Sequence, residues 1–244
     1  MPDFSLVEPS HAALERRDAV VLAIDTAGSA CSVAVGCGAL ILAHEHRDMR
    51  HGHAEALLPM IDRTMAATGL PPRDIDVIAV SVGPGGFTGI RAGLAAAQGL
   101  ALAGGAALVG VTSFAAVAAK LPRHGSPLLI VLDSRREDFY VQLFAQDNVV
   151  ISEPAAVLPD DFGRFVTASI GDAPLRVAGD IAESAAASLR ERSDVTIIPE
   201  SAPDAIGVLA AASCAEFIAH ARPLYLRAPD VSFPKRPVRP RVAP

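Results

Sequence analysis

Tryptophan is absent from this chain of 244 residues, and aromatic residues make up only 5% of it. Its core must therefore consist mainly of Ala, Val, Leu and Ile. Cysteine is also scarce: Cys31, Cys37 and Cys214 form an odd set without paired spacing, which argues against a disulfide framework and a zinc cluster. The net charge of −6 argues against a surface that coats nucleic acid. No signal peptide is recognisable at the first residues, so we expect a reducing cytoplasm.

Charge is nearly missing from one long segment. Between residues 77 and 119 the only charged residue is Arg91, so the rest of the chain, a lipid bilayer or a partner must cover this segment. A bilayer is one alternative, because residues 92–111 hold no charge and are long enough to span it. Gln98, the Gly104-Gly105 pair and the high alanine content argue against a span. We therefore expect no membrane segment.

A glycine-rich turn follows the strand predicted at residues 77–82. Gly83, Gly85 and Gly86 permit positive φ or close approach of another group, and Thr88 can cap the helix that follows. Backbone N–H groups at a helix start bind anions, so one hypothesis is contact with a phosphate or nucleotide. The alternative is a connection needed only for packing, because the run lacks the lysine of a P-loop and the acidic residue of a dinucleotide fingerprint.

The helix predicted at residues 88–103 has a face of small residues. Glycine inside a helix costs about 0.5–1 kcal/mol relative to alanine, so helix propensity does not explain this composition. Close packing against a second helix would explain it. The small residues recur three or four apart at Gly89, Gly93, Ala96, Gly99 and Ala103.

The rest of the hydrophobic pattern predicts alternating strands and helices. A helix at residues 53–68 contains Pro59, which should bend it or delay its regular part. Further strands are predicted at residues 20–25, 31–35, 40–43 and 107–111, then at 128–133, 139–143, 175–179 and 195–198. Further helices are predicted at residues 182–190 and 206–221.

An internal repeat indicates two related lobes. Asp25 and Asp133 each end an apolar strand and precede a turn and a second strand, and the distance from Asp25 to Val33 equals that from Asp133 to Val141. The repeat predicts an α/β protein in which each lobe is a mixed sheet with flanking helices. This plan is typical of the actin-like ATPase and sugar kinase fold. We place an extension at residues 1–18, the lobes at 19–121 and 122–205, and a Pro-rich basic tail at 222–244, with helix 206–221 packed back on the first lobe.

Five motifs stand in order along the chain: Leu22-Ala-Ile-Asp-Thr-Ala27, His53-Ala-Glu-Ala-Leu-Leu-Pro59, Gly83-Pro-Gly-Gly-Phe-Thr-Gly-Ile-Arg91, Gln98-Gly-Leu-Ala101 and Val109-Gly-Val-Thr-Ser113. Together they resemble the TsaB family, a bacterial group once placed among the M22 glycoproteases. The match is dense over residues 20–119. Looser echoes occur at Leu132-Asp-Ser134 and at Pro223-Leu-Tyr-Leu-Arg227.

The resemblance implies a part in making threonylcarbamoyladenosine at position 37 of tRNAs that read codons beginning with A. In the family, the homologue TsaD catalyses the transfer with a metal held by an HxxxH motif, TsaB is its non-catalytic partner, and the ATPase TsaE is a further partner. The complex would provide the contact with tRNA, and we expect a homodimer when the chain is alone. The implied interface lies on the helices at 53–68 and 88–103, at Leu57, Ile61, Met65, Gly89, Ile90, Gly93, Ala96, Ala97 and Leu100.

The histidine pair of the catalytic relative has no counterpart here. After Gly110-Val-Thr-Ser113 the chain reads Phe114-Ala-Ala-Val-Ala-Ala-Lys120, and alanine and valine cannot bind a metal or move protons. We therefore predict no catalytic residue, no metal site and no transferase or protease activity from this chain alone, although homology could attract a transferase or M22 peptidase-like label. The alternative is a self-contained ATP-binding phosphotransferase or metallohydrolase of the same fold.

Nucleotide binding is a separate hypothesis. Nucleotide-binding members of this fold direct such aspartates toward phosphates and magnesium between the lobes, although an aspartate after an apolar strand often only caps a turn. The loop at 133–138 lacks a glycine-rich phosphate clamp. We therefore expect at most weak ATP or ADP binding and no required cofactor. The candidate residues are Asp25, Thr26, Gly83, Gly85, Gly86, Thr88 and Asp133.

Four of the seven histidines lie within ten residues, at His44, His46, His51 and His53. Alternate strand positions share a face, so His44 and His46 could point together as metal ligands. The alternative, which we favour, is a solvated strand end and loop.

The tail at residues 222–244 contains six prolines and six Lys or Arg residues. Lys235, Arg236, Arg239 and Arg241 could contact tRNA phosphates. A tail that only increases solubility is the alternative.

Overall fold

The computed structural model describes residues 18–199, 201–214 and 217–227. The predicted extension lies outside these residues except for Asp18, and so does the predicted tail beyond Arg227. The described part contains two β-sheets and six α-helices.

The first sheet contains β1 (Val20–Asp25), β2 (Ala30–Cys37), β3 (Leu40–Asp48), β4 (Val77–Gly83), β5 (Ala107–Thr112) and β11 (Ile218–Ala219). The second contains β6 (Leu128–Asp133), β7 (Phe139–Phe144), β8 (Ala155–Val157), β9 (Leu175–Ala178) and β10 (Val195–Ile197). The helices are α1 (His53–Thr68), α2 (Phe87–Gly104), α3 (Ser113–Lys120), α4 (Pro159–Ile170), α5 (Ala182–Ala186) and α6 (Ala205–Ala212).

Both sheets have the same topology. The strand order is β3-β2-β1-β4-β5 in the first sheet, with β11 added at its edge, and β8-β7-β6-β9-β10 in the second. β1 pairs antiparallel with β2 and parallel with β4, and β6 pairs in the same way with β7 and β9. The predicted fold class is confirmed: two related lobes, each a mixed sheet with flanking helices.

Helices cover each sheet and also separate the two. Side chains of α1 and α2 pack on the outer face of the first sheet, and those of α4 and α5 pack on the outer face of the second. Between the sheets, α3 and α6 share one core with both lobes. An added Cβ on Gly207 of α6 would overlap the backbone oxygen of Ala116 in α3, so these two helices are in direct backbone contact. This central pair joins the two lobes.

Several predicted element boundaries need correction. The helix predicted at 206–221 is shorter: Asp204 caps α6 by accepting a 2.7 Å hydrogen bond from the Gly207 N–H, α6 ends at Ala212, and β11 then pairs with β5. The helix predicted at 182–190 is α5 followed by a 3₁₀ turn at Ala187–Leu189. β3 continues to Asp48, and α1 is regular from His53, so Pro59 does not delay it.

The uncharged run at 92–111 does not form one helix. It divides between α2, which ends at Gly104, and β5, which begins at Ala107. Within the described ranges, no helix is long and apolar enough to cross a membrane.

Candidate functional site

A narrow cleft lies where the carboxyl ends of parallel strands from both lobes meet. The first lobe contributes the loop after β1 and the glycine turn after β4, and the second contributes the loops after β6 and β9. Open α/β sheets bind ligands at this end of their strands. The lining includes Ala27, Gly28, Pro84, Gly85, Ser113, Asp133, Arg135 and Asp180.

Asp25 lies at the base of this region, fully buried at the end of β1. Its Oδ1 accepts a 3.2 Å hydrogen bond from the Ala27 N–H, while Oδ2 has no partner at bonding geometry. Burial raises the pKa of Asp25, and hydrogen bonds from the Ser81 hydroxyl and the Ala27 backbone partly offset that rise. The side chain therefore supports the loop after β1.

The glycine turn packs closely against this loop. The Gly86 N–H donates a 2.8 Å hydrogen bond to the Ala27 oxygen, and an added Cβ on Gly85 would overlap the same oxygen. Gly83 has a φ of 101°, a left-handed conformation that favours glycine. Packing therefore accounts for these glycines, and the phosphate hypothesis stays a prediction.

Thr88 does not cap α2. The helix starts at Phe87, with Gly86 in the cap position and no side-chain cap. Thr88 is exposed inside the first turn. The prediction of a Thr88 cap is wrong, because the turn continues into the helix without an intervening polar residue.

Arg135 crosses the cleft from the second lobe to the first. Its Nη2 donates a 2.9 Å hydrogen bond to the Gly28 oxygen, and its Nη1 would lie 3.2 Å from a Cβ added to Gly86. The loop is fixed locally, because the Arg135 N–H donates a 2.6 Å hydrogen bond to Asp133 Oδ1. Arg135 therefore places a positive charge beside the glycine turn.

Asp180 supports the second lobe's side of the cleft. Its Oδ1 accepts a 2.9 Å hydrogen bond from the Asp133 N–H. Burial raises the pKa of Asp180, and the nearby Asp133 carboxylate adds to the rise. The cavity between these residues has a volume of only about 10 Å³, which is room for a single water molecule. A nucleotide would need the lobes or Arg135 to move.

Three cleft residues were missed by sequence reasoning: Ser113, Arg135 and Asp180. A signal for Asp180 existed, because Gly179-Asp180 lies at the end of β9 as Gly83-Pro84 lies at the end of β4, and Gly179 also has a left-handed φ of 123°. No sequence signal indicated Arg135 or Ser113, because their roles depend on how the lobes face each other.

A C-terminal segment, residues 222–227, connects the two lobes beside the cleft. The Leu224 N–H donates a 2.8 Å hydrogen bond to the Val82 oxygen, and Tyr225 stacks on Phe87 with ring centroids 5.3 Å apart. Arg227 forms a 2.9 Å ion pair with the buried carboxylate of Asp138 in the second lobe. The segment therefore restrains the lobes relative to each other.

The histidines predicted as an alternative metal site are only partly brought together. The rings of His44 and His46 lie 6.3 Å apart, and His46 Nε2 lies 3.1 Å from Asp48 Oδ1. His53 is buried at the start of α1, where burial lowers its pKa. Over residues 18–199, 201–214 and 217–227, no group of three or more His, Cys, Asp or Glu side chains is arranged to hold a metal.

Most of the predicted partner-interface residues lie inside the chain's own fold. Ala96 and Leu100 are half-buried, and the other seven are buried: Leu57, Ile61, Met65, Gly89, Ile90, Gly93 and Ala97. The small side of α2 meets the loop after β1, because added Cβ atoms on Gly89 and Gly93 would overlap Thr26. These seven residues therefore serve internal packing, and their part in a partner interface stays a prediction.

The outward face of α2 is nevertheless unusual. On α2 the exposed residues are Phe87, Thr88, Arg91, Ala95, Gln98, Gly99, Leu102, Ala103 and Gly104. Arg91 is the only charge among them. Its guanidinium lies 3.8 Å from the Phe87 ring centre, and its Nε donates a 3.1 Å hydrogen bond to the Tyr225 hydroxyl. A solvent-facing helix surface normally carries many charged residues. We call these exposed residues of α2 the outer helix face.

Comparison with known proteins identifies the family of this chain. The sequence profile of the TsaD family, tRNA N6-adenosine threonylcarbamoyltransferase, matches residues 47–192. The tRNA threonylcarbamoyladenosine biosynthesis protein TsaB of Escherichia coli strain K12 is 30% identical, over 89% of this chain and 98% of that protein. The chain belongs to the TsaB family.

Other relatives agree with this assignment. The tRNA threonylcarbamoyladenosine biosynthesis protein TsaB of Haemophilus influenzae is 30% identical, over 59% of this chain and 58% of that protein. The structure of YeaZ from Pseudomonas aeruginosa superimposes with a TM-score of 0.73 at 25% identity, over 85% of this chain and all of that one. The resemblance to the TsaB family is thus confirmed, and the outer helix face and cleft are features of a TsaB-family chain.

Proposed function

We propose that this TsaB-family chain is the non-catalytic subunit of the complex that installs threonylcarbamoyl on adenosine 37 of tRNAs reading codons that begin with A. Its role is to bind and activate a TsaD-like catalytic homologue. A TsaE-like ATPase is a further partner, and tRNA is engaged through the complex. The names of the relatives and the match to the TsaD family support the pathway.

The observation that carries the non-catalytic role is the composition and burial of α3. Ser113 to Ala118 are buried in the core shared by the lobes, and the rest of α3 is Ala119 and Lys120. None of these side chains is a carboxylate, imidazole or thiolate that could hold a catalytic metal. The donor set of an HxxxH site does not fit this helix, so the chemistry is assigned to the homologue.

The outer helix face supports the role in binding. An exposed helix with one charge, already engaged by Phe87 and Tyr225, is a costly surface to leave in water. Burying it against a related molecule would remove apolar area without breaking an ion pair. We therefore place the proposed partner surface on the exposed side of α2 rather than on its buried small residues.

Weak binding of ATP or ADP in the cleft also remains a proposal. The positive charge of Arg135 in the cleft supports this proposal, although the present cleft has no room for a nucleotide. No cofactor is required for the role proposed.

Replacing Ala95 on the outer helix face by arginine tests the binding role. Arginine is a good helix former, so the fold is retained, while an unpaired charge enters the contact. We expect Ala95→Arg to weaken co-purification with the TsaD-like homologue by about tenfold or more. In a reconstituted assay with the homologue, the TsaE-like ATPase and tRNA, threonylcarbamoyladenosine formation should fall accordingly.

Ala168→Arg is the matched control, because Ala168 is exposed on α4 of the second lobe. It should leave co-purification and modification unchanged. Normal modification by the Ala95→Arg variant, or after omission of the whole chain, would contradict the proposal. Turnover by this purified chain alone would favour the self-contained phosphotransferase or hydrolase instead.

A further inference from the structure

The start of β3 exposes three consecutive apolar side chains. Leu40, Ile41 and Leu42 are 68%, 51% and 41% exposed, and β3 is the edge of the first sheet. Edge strands normally expose charged or polar residues that prevent unwanted association. The later part of β3 follows this rule with His44-Glu-His-Arg-Asp48. We call Leu40–Leu42 the edge patch.

The edge patch is not suited to extension of the sheet by another strand. Val35 pairs with Ala43 and Gly36 with Ile41, so Leu42 is an extra residue that forms a bulge. A bulge interrupts the regular row of backbone N–H and C=O groups. The apolar side chains are therefore the feature to be covered, and the cover need not be a strand.

The N-terminal segment enters the described structure next to this patch. Asp18 precedes β1, and its backbone oxygen lies 3.3 Å from the Cys37 sulfur. Cys37 pairs directly with Leu40 across the β2–β3 hairpin. Residues 1–17 therefore join the fold beside the edge patch, without having to pass around either lobe.

The composition and length of residues 1–17 fit such a cover. Phe4, Leu6, Val7 and Leu14 provide apolar side chains in a segment that also contains polar, charged and small residues. Asp18 lies four positions after Leu14, a reach of up to about 14 Å, which spans the two strand spacings of about 5 Å each between β1 and β3. We propose that residues 1–17 pack on the edge patch of the same chain and shield Leu40, Ile41 and Leu42 from water.

Because the chain contains no tryptophan, one introduced indole reports on its own surroundings. Ile41→Trp places this probe in the edge patch, and Leu102→Trp places a matched probe on the outer helix face. Each is combined with the triple substitution Phe4→Ser, Leu6→Ser and Val7→Ser in the full chain. A second triple substitution, Val231→Ser, Val238→Ser and Val242→Ser in the C-terminal tail, controls for loss of apolar side chains elsewhere.

We expect the N-terminal triple substitution to raise acrylamide quenching of the indole at position 41 by about twofold, because loss of apolar cover exposes it to solvent. Quenching at position 102 should not change, and the tail substitutions should have no effect at either position. Unchanged quenching at position 41 would overturn the proposal. Quenching at position 41 that falls with protein concentration, whichever N-terminal sequence is present, would also overturn it, since a second copy would then be the cover.

Discussion

Asp25 shows how one carboxylate can be correctly located from sequence while its role stays open. Its position after an apolar strand predicts a place at the carboxyl edge of the sheet, and the structure places it there, fully buried. The same argument placed Asp133 beside the cleft. Arg135 could not be predicted, since its contact with the Gly28 oxygen depends on the second lobe facing the first.

The raised pKa of Asp25 leads to a pH-dependent prediction. When burial raises the folded-state pKa above the unfolded value of 3.8, stability is full below that value and is lost as pH rises through the folded pKa. Asp25→Asn keeps the acceptor for the Ala27 N–H and removes the ionisation. We expect it to stabilise the protein at pH 7, with an advantage that shrinks toward zero as pH falls below about 4.

Urea unfolding followed by circular dichroism at a series of pH values measures this difference. Asp172→Asn, at an exposed turn, is the control for removing one negative charge. If the advantage of Asp25→Asn over the parent protein were constant across the series, ionisation of Asp25 would not be its cause.

Helix α2 shows that a local sequence pattern can predict the extent of a helix but not the part of the chain against which it packs. Its extent was predicted to within one residue at each end, because the spacing of its small and apolar residues is a local feature. Small residues at Gly89 and Gly93 indicated that something approaches the helix closely. The sequence could not show that the neighbour is the loop after β1, where the Thr26 hydroxyl donates a 2.8 Å hydrogen bond to the Gly89 oxygen. A bulky substitution at Gly93 would therefore disturb the fold rather than test a partner.

Two alanine substitutions separate the buried side of α2 from its exposed side. At Gly89 an added Cβ overlaps the backbone oxygen of Thr26, whereas at Gly99 nothing lies within 4 Å. We expect Gly89→Ala to lower the free energy of unfolding by about 1–3 kcal/mol through overpacking. Gly99→Ala should raise it by about 0.5–1 kcal/mol through better helix propensity. Urea unfolding measures both, and a gain in stability at Gly89 would show that the loop contact is loose.

The two lobes of the molecule share one topology but differ in the charge of their exposed surfaces. The repeat of strand, aspartate, turn and strand was enough to predict two related lobes, because it needs only local patterns. The central α3–α6 pair, the segment at 222–227 and the crossing of Arg135 connect the lobes through long-range contacts. No local pattern contains that information. Of the two lobes, only the first carries the outer helix face with its single engaged charge.

The same surface predicts what the chain does without its catalytic homologue. A weakly charged helix face left in water favours pairing with an identical face, and two-fold symmetry allows one patch to serve both copies. We therefore expect a homodimer in isolation, which dissociates when the homologue is added because both need the outer helix face.

Light scattering during size-exclusion chromatography distinguishes the states. Leu102 is 87% exposed on α2, and Leu102→Arg should shift the dimer to monomer, since the two-fold axis brings like charges together. Leu158→Arg, at a 46% exposed leucine of the second lobe, should leave the dimer intact. If Leu102→Arg remained dimeric while losing the homologue, self-pairing would use a different surface from the heterodimer, and the two assemblies would not compete.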